Sequence, residues 1–102
     1  MARLDKSPPE KPSSRQPRRF ILFVVGDEPN SRLARQNMES LCKSSDAPIE
    51  WELIDVLNDF QTALAHDVLA TPALVQVEPP PRITILGNLN DMERVRHVLG
   101  LR

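Results

Sequence analysis

The 102-residue chain is poor in the side chains that carry redox and metal chemistry. Its single cysteine, Cys42, excludes an internal disulfide and a cysteine-based metal cluster, and favours a reducing, cytoplasmic setting. There is no tyrosine, and the two histidines, His66 and His97, show none of the spacings typical of metal ligands. We therefore expect no metal site and no cofactor.

Long apolar runs and a basic surface are also missing. The longest apolar run, residues 20–25, is far shorter than the roughly 20 residues of a membrane-spanning helix, so we predict no membrane span. The net charge is −1, yet residues 1–19 hold six of the 13 Lys and Arg residues and only two of the 14 acidic ones. The remainder is acidic, which argues against a nucleic-acid ligand because phosphate binding needs a basic face.

The composition divides the chain into two parts. Residues 1–19 contain four prolines and almost no apolar side chains, which predicts a disordered, basic, proline-rich tail. Residues 20–102 alternate apolar and polar segments and are long enough for one domain with a single core.

Hydrophobic periodicity predicts seven elements within 20–102. They are a strand over 20–25, a helix capped by Asn30 or Ser31 that ends within 44–48, a strand over 49–57, a short helix from Asn58 or Asp59 to about Asp67, strands over 73–77 and 82–86, and a last helix capped by Asn90 with Glu93 completing a capping box.

The pattern within these strands predicts how they pair. Residues 20–25 are apolar on both faces, as expected of a central strand, whereas Glu50 and Glu52 alternate with apolar residues, as expected near a sheet edge. The first two strands should be parallel because a helix connects them, and the turn at Pro79-Pro80-Pro81 predicts an antiparallel hairpin. The result is an α/β fold, βαβ-α-ββ-α, with a mixed four-stranded sheet. This is the thioredoxin-like order, in which the Thr71-Pro72 bond before the third strand is usually cis.

Residues with catalytic chemistry are absent from the expected places. A redox thioredoxin carries Cys-x-x-Cys after the first strand, where this chain has Gly26-Asp27-Glu28-Pro29-Asn30-Ser31, so dithiol exchange is excluded. In a glutathione-transferase-type site, Ser31 could stabilise the thiolate of a bound ligand at this position. A role as a helix cap is the simpler interpretation. We interpret Cys42 as a thiol in the core or at its flank, and we predict no catalytic residue.

Four carboxylates remain as an alternative ligand set. Asp27, Glu28, Asp55 and Asp59 would form an acidic cluster if the strand ends converge, which suits a cation or an Arg-rich partner. Solvated loop carboxylates are the simpler interpretation.

Four segments together resemble the KaiB family of circadian clock proteins. They are Phe23-Val24-Val25-Gly26-Asp27-Glu28-Pro29-Asn30-Ser31, Ile54-Asp55-Val56-Leu57, Leu69-Ala70-Thr71-Pro72-Ala73-Leu74, and Pro79-Pro80-Pro81 followed by Gly87-Asn88-Leu89. The resemblance implies a non-enzymatic regulator that binds the hexameric ATPase KaiC, sequesters KaiA and hands over to output histidine kinases. It also implies two folds, one a tetramer with a rearranged C-terminal half and the other a thioredoxin-like monomer.

The resemblance also assigns residues to roles. It implies partner contacts at Arg32, and at Glu50, Glu52 and Asp67 on the second strand and second helix; cyanobacterial members carry Lys near Glu52 and Asp67, which places KaiA-type binding in doubt. Thr71, Pro72, Pro79, Pro80, Pro81 and Gly87 lie in the half that rearranges.

Val98 stands where cyanobacterial members have Gly. A valine there can bury its side chain beside Val95 and Leu99, so we predict that the thioredoxin-like form is the more stable one. A homo-oligomer, dimer or tetramer, stays open. The alternative function is a thioredoxin-like sensory or peptide-binding module without redox activity that uses the Thr71-Pro72 loop.

Overall fold

The computed structural model describes residues 16–102. In chain order the elements are β1 (Arg18–Val24), α1 (Pro29–Ser44), β2 (Ile49–Asp55), α2 (Phe60–Ala65), β3 (Ala73–Glu78), β4 (Ile83–Leu86) and α3 (Met92–Leu99). The predicted element order is confirmed.

The four strands form one mixed sheet in the order β2-β1-β3-β4. β1 pairs with β2 in parallel and with β3 antiparallel, and β3 pairs with β4 antiparallel. The strand that is apolar on both faces is therefore central, and β2 is an edge strand, as the alternation of Glu50 and Glu52 predicted.

Two apolar layers cover the two faces of this sheet. On one face, Phe20, Leu22 and Val24 pack with the buried sides of α1 and α3. On the other face, Ile21 and Phe23 pack with Ala63 of α2 and with Val68. The second layer is thin because α2 has only six residues, so much of this face stays near the surface.

β1 begins earlier than the sequence predicted. Arg18 and Arg19, assigned to the tail, pair with Ile49 and Glu50 of β2, and the Arg18 side chain is buried. The rest of the predicted tail, residues 1–15, lies outside the described residues.

Two helix caps differ from the prediction. Glu28, not Asn30 or Ser31, caps α1, and its Oε1 accepts from the Ser31 N–H at 3.1 Å. Asp91, not Asn90, caps α3. Asp59 caps α2 as predicted.

Within residues 16–102, three X-Pro peptide bonds are cis. They are Thr71-Pro72, as the thioredoxin-like order predicted, Glu78-Pro79 and Pro80-Pro81. Within residues 16–102, no helix has the length and apolar character needed to cross a membrane.

Candidate protein-binding surface

Three large apolar side chains on and just before α2 face solvent. Leu57, Phe60 and Leu64 are between 49% and 71% exposed. Phe60 and Leu64 lie one turn apart on the same side of the helix, since residues four apart are neighbours on a helix surface. We call these three residues the α2 stripe. Apolar groups exposed together in this way are typical of a protein-binding surface.

Contacts on the opposite side of α2 hold the helix against the sheet. Ala63 is its buried residue, and the following His66 ring lies 5.8 Å from the Phe23 ring, centroid to centroid. Asp59 accepts from the Thr62 N–H at 3.1 Å and from the Thr62 hydroxyl at 2.7 Å. These hydrogen bonds lower the pKa of Asp59. The α2 stripe is thus presented by an anchored helix.

The segment before α2 is also fixed. Asp55 Oδ1 accepts from the N–H groups of Gly26, at 3.1 Å, and Leu57, at 3.0 Å. Gly26 has a φ of +50°, a conformation in which glycine carries no Cβ penalty, and an added Cβ would lie 3.6 Å from the Leu57 side chain. The end of β1 therefore supports one end of the α2 stripe.

Arg32 lies near this same end, on the first turn of α1. Its Nε is 3.5 Å from Asp27 Oδ1, and a terminal nitrogen donates to the Asp27 carbonyl at 3.1 Å. Arg35 lies 3.8 Å from the same carboxylate. Arg32 is thus held on the surface by a local exposed contact, where a partner can reach it.

Glu50, Glu52 and Asp67 lie on the α2 side of the sheet. Strand alternation places Glu50 and Glu52 on the same face as Ile54, which packs in the α2 layer. Both glutamates are exposed on the edge strand, and Asp67, also exposed, follows α2 with a φ of 58°. The structure therefore places three acidic partner-contact candidates on the face that carries α2.

The four carboxylates of the alternative ligand set do not form a cluster. Asp27 pairs with arginines, Glu28 and Asp59 cap helices, and Asp55 holds the Gly26–Leu57 turn. No group of metal-ligating side chains occurs within residues 16–102.

The predicted switch residues have structural contacts. Pro72 is buried, and its carbonyl accepts from the Gly87 N–H at 2.9 Å, which joins the start of β3 to the end of β4. The Pro79 carbonyl accepts from the Gln76 side chain at 3.0 Å. Pro80 and Pro81 are exposed in the turn between these strands.

The expected burial of the Val98 side chain beside Val95 and Leu99 is wrong, whereas the predicted stability of the thioredoxin-like form stays a prediction. Val98 is 37% exposed, whereas Val95 and Leu99 are buried. Residues three and four apart share one face of a helix, and Val98 lies at the solvent-facing edge of the face that Val95 and Leu99 form. The predicted preference for this fold therefore cannot rest on full burial of the Val98 side chain.

Ser31 and Cys42 have no catalytic surroundings. Ser31 is fully buried, and its Oγ accepts from the Val25 N–H at 3.0 Å, so it joins α1 to β1. Burial and the nearby Glu39 carboxylate raise the pKa of the Cys42 thiol, which opposes thiolate chemistry.

The sequence analysis missed the α2 stripe and Arg18. Arg18 donates to Gln76 Oε1 at 2.9 Å and to the backbone carbonyls of Leu99 and Gly100. The sequence contained part of the signal for the stripe, because three large apolar residues, Leu57, Phe60 and Leu64, lie in or just before a short predicted helix that needs only one apolar side to pack on the sheet.

The fold is similar to those of known structures. The chain is similar to the N-terminal domain of Synechococcus elongatus SasA, with a TM-score of 0.68, 25% identity, and coverage of 94% of this chain and 93% of that one. It is similar in fold to mitochondrial thioredoxin 3 from Saccharomyces cerevisiae, with a TM-score of 0.68, 18% identity, and coverage of 82% and 78%. The predicted thioredoxin-like fold is confirmed.

Sequence relatives agree with the structural ones. The circadian clock oscillator protein KaiB of Prochlorococcus marinus (strain MIT 9313) is 39% identical over 81 residues, which span 78% of this chain and 66% of that protein. The protein of the same name from Synechococcus sp. (strain RCC307) is 37% identical, with coverage of 78% and 72%. The family model for the KaiB domain matches residues 21–101, and the chain belongs to the KaiB family.

Proposed function

We propose that this chain is a non-enzymatic cytoplasmic regulator that binds a KaiC-type hexameric ATPase in a circadian-clock or related timing or stress pathway. The α2 stripe is the observation that carries the proposal. It consists of exposed apolar side chains on a helix that is anchored to the sheet through Ala63. A few residues near the centre of an interface carry most of its binding energy.

Charges around the stripe indicate the character of the partner surface. Glu50, Glu52 and Asp67 place carboxylates on this side of the sheet, where Arg19 and Arg82 are also exposed, and Arg32 is a basic group near the end of the stripe. A docking face of the ATPase with groups of both charges around an apolar centre fits this arrangement. Such charges act mainly on association rate and partner choice.

A histidine kinase is the second partner in the proposal. The likeness to the N-terminal domain of SasA, at 25% identity over nearly the whole of both chains, supports a shared partner surface.

The direct test measures binding of the full chain to the cognate KaiC-type ATPase with ATP and with ADP. We expect a complex in at least one nucleotide state. Phe60→Ala and Leu64→Ala should each weaken it by about tenfold or more, the range of interface hot spots. Gln61→Ala is the matched control, because Gln61 is exposed on the same helix outside the stripe.

Circular dichroism checks that the three variants fold. The truncated side chains are exposed, so the fold should persist. Absence of a complex in every nucleotide state would end the proposal. Wild-type affinity of both stripe variants would place the interface elsewhere on the molecule.

A further inference from the structure

A long stretch in the middle of the chain contains no basic residue. Between Lys43 and Arg82 there is no Lys or Arg, whereas seven Asp and Glu residues occur there. The stretch includes β2, the loop after it and α2. Its exposed acidic residues are Asp46, Glu50, Glu52, Asp59, Asp67 and Glu78. The surface formed by β2 and α2 is therefore negative, even when the exposed Arg19 and Arg82 on the same face are counted.

The ends of α1 and α3 beside the start of β1 have the opposite charge. Lys43 lies in the last turn of α1, and Arg96 lies in the last turn of α3. Arg96 donates to the Ser44 hydroxyl and to the Arg102 carbonyl, which joins these two ends. The buried Arg18, which begins β1, donates to carbonyls at the end of α3. The start of β1 thus has a basic surface on the α1 and α3 side and an acidic one on the β2 side.

Residues 1–15, which we call the N-terminal segment, join the fold between these two surfaces. Just after the segment, the Arg18 N–H donates to the Pro48 carbonyl at 2.9 Å, beside the start of β2. The segment holds four basic residues against two acidic ones, a net side-chain charge of +2. The basic ones are Arg3, Lys6, Lys11 and Arg15. Charge therefore repels the segment from the ends of α1 and α3 and attracts it to β2.

The segment is long enough to extend from the start of β1 to α2. Thirteen residues lead from Leu4 to Pro17, and they span about 40 Å even at the ~3.1 Å per residue of polyproline II. The seven residues of β1, at ~3.3 Å each, make the strand about 23 Å long. β2 runs parallel to β1 and ends where the loop to α2 begins. Leu4, an apolar residue between Arg3 and Lys6, is therefore within reach of the α2 stripe.

We propose that the N-terminal segment is the occupant of this acidic surface. It lies along the β2 edge toward α2, with its basic side chains against Glu50 and Glu52 and with Leu4 on the α2 stripe. Three of its residues are prolines, which have no N–H to donate, so the contact consists of charges and apolar groups and not of an added strand. One consequence rests on the proposed function: the segment covers the surface that binds the ATPase and competes with it.

The strength of this contact is limited by its exposure to solvent. Ion pairs at an exposed surface are individually weak and are screened by salt. The covered and open forms should therefore both be populated at low salt. A partner that binds only the open form loses affinity in proportion to the open fraction, so coverage of about half to three quarters of the molecules weakens ATPase binding roughly two- to fourfold.

The first test compares nuclear magnetic resonance spectra of two full-length chains, the wild type and a neutral-segment variant. We expect chemical-shift differences over Ile49–Asp55 and Phe60–Ala65 at about 0.02 M salt, and none over Met92–Leu99. The differences should disappear in about 1 M salt, where the screening length is about 3 Å. The variant carries Arg3→Gln, Lys6→Gln, Lys11→Gln and Arg15→Gln.

Matched variants test the sign of the charge and the position of the contact. Asp5→Asn with Glu10→Gln makes the segment more basic and should move the same signals in the opposite direction. On the surface, Glu50→Gln with Glu52→Gln should remove most of the difference between the wild-type and neutral segments. Glu93→Gln, at an exposed position of α3, should leave it unchanged. Circular dichroism confirms that each variant is folded.

The second test measures binding to the cognate KaiC-type ATPase. The neutral-segment variant should bind roughly two- to fourfold more tightly than the wild type at about 0.02 M salt, and equally tightly in about 1 M salt. The comparison uses chains of the same length, so a change in affinity reports the charges of the segment.

The results that would overturn the proposal are distinct from those that would end the proposed function. Identical spectra of the wild type and the neutral-segment variant at low salt would exclude the contact, whatever the ATPase does. Differences that grow with protein concentration would show a contact between copies instead. An unchanged or lower ATPase affinity of the variant would refute competition. Absence of ATPase binding by both chains would end the proposed function, and the spectra would still decide whether the segment occupies the surface.

Discussion

Replacing Arg18 with alanine should destabilise this domain, and by more than the same replacement at Arg19, the other arginine of β1. Arg18 is only 7% exposed, although it is the first residue of β1. Its guanidinium joins β1 to Gln76 of β3 and to the last carbonyls of α3, at Leu99 and Gly100. A cation at the C-terminal end of a helix is also favoured by the helix dipole.

The magnitude follows from these contacts. A hydrogen bond to a charged group contributes about 1.5–3 kcal/mol, and Arg18→Ala removes two close ones and leaves their acceptors unpaired. Desolvation of the guanidinium reduces this gain in stability. Burial lowers the pKa of Arg18, although the Asp46 carboxylate raises it. The buried Nε also has no hydrogen-bond partner in the part of the chain that the structure describes. We expect a net loss of about 2–3 kcal/mol, or roughly 10–20 °C in Tm for a domain of this size.

Urea unfolding followed by the fluorescence of Trp51, the single tryptophan, measures this loss. Arg19→Ala is the matched control, because the neighbouring Arg19 is exposed on the same strand and should change stability by less than about 0.5 kcal/mol. Arg18→Lys keeps the charge but not the forked donors, and should recover less than half of the loss. Equal stability of the Arg18→Ala and Arg19→Ala proteins would refute the reasoning.

Two further predictions concern α1. Glu28→Ala removes the cap on the Ser31 N–H and should lower the free energy of unfolding by about 1 kcal/mol, more than Asn30→Ala does; the reverse order in urea unfolding would show that Asn30 is the cap. Burial, followed by the charge of Glu39, raises the pKa of Cys42, so at pH 8 the fraction of thiolate is smaller than in a free thiol. Alkylation of native Cys42 by iodoacetamide should therefore be slower than alkylation of glutathione, and Glu39→Gln should speed it; equal rates for the native protein and glutathione would contradict this.

The order of elements was predictable because each long element has a strong pattern. The apolar run at 20–25 identified the central strand, and the alternation at Glu50 and Glu52 identified an edge. The start of β1 was not predictable, because Arg18 is buried only where carbonyls about 80 residues away accept its hydrogen bonds. A charged residue after a proline-rich segment has no such signal in its own neighbourhood.

The caps of α1 and α3 were not predictable for a more local reason. Glutamate is a less preferred cap than asparagine or serine, so Asn30 and Ser31 were the natural choices. Pro29 was the better signal, because proline favours the first helical position and places the cap one residue before it. At α3, Asn90 and Asp91 are both good caps, and the sequence does not separate them.

The candidate site was predictable by region and not by residue. The family resemblance directed attention to the second strand and second helix, where the α2 stripe lies. The segment from Leu57 to Leu64 is apolar on several sides, so periodicity alone does not say that Ala63 is the buried residue and Phe60 an exposed one. That choice depends on His66 and Phe23, which meet only in the folded chain.

Arg18 differs from Val98 in how it connects the two halves of the chain. Val98 is 37% exposed, so its side chain is less buried than those of Val95 and Leu99. All three acceptors of Arg18 lie in the C-terminal half, on β3 and at the end of α3, whereas Arg18 itself belongs to the N-terminal βαβ unit. A rearrangement of the C-terminal half would break these hydrogen bonds together. In the thioredoxin-like arrangement Arg18 therefore links the N-terminal βαβ unit to the C-terminal half, which the partly exposed Val98 side chain does not do.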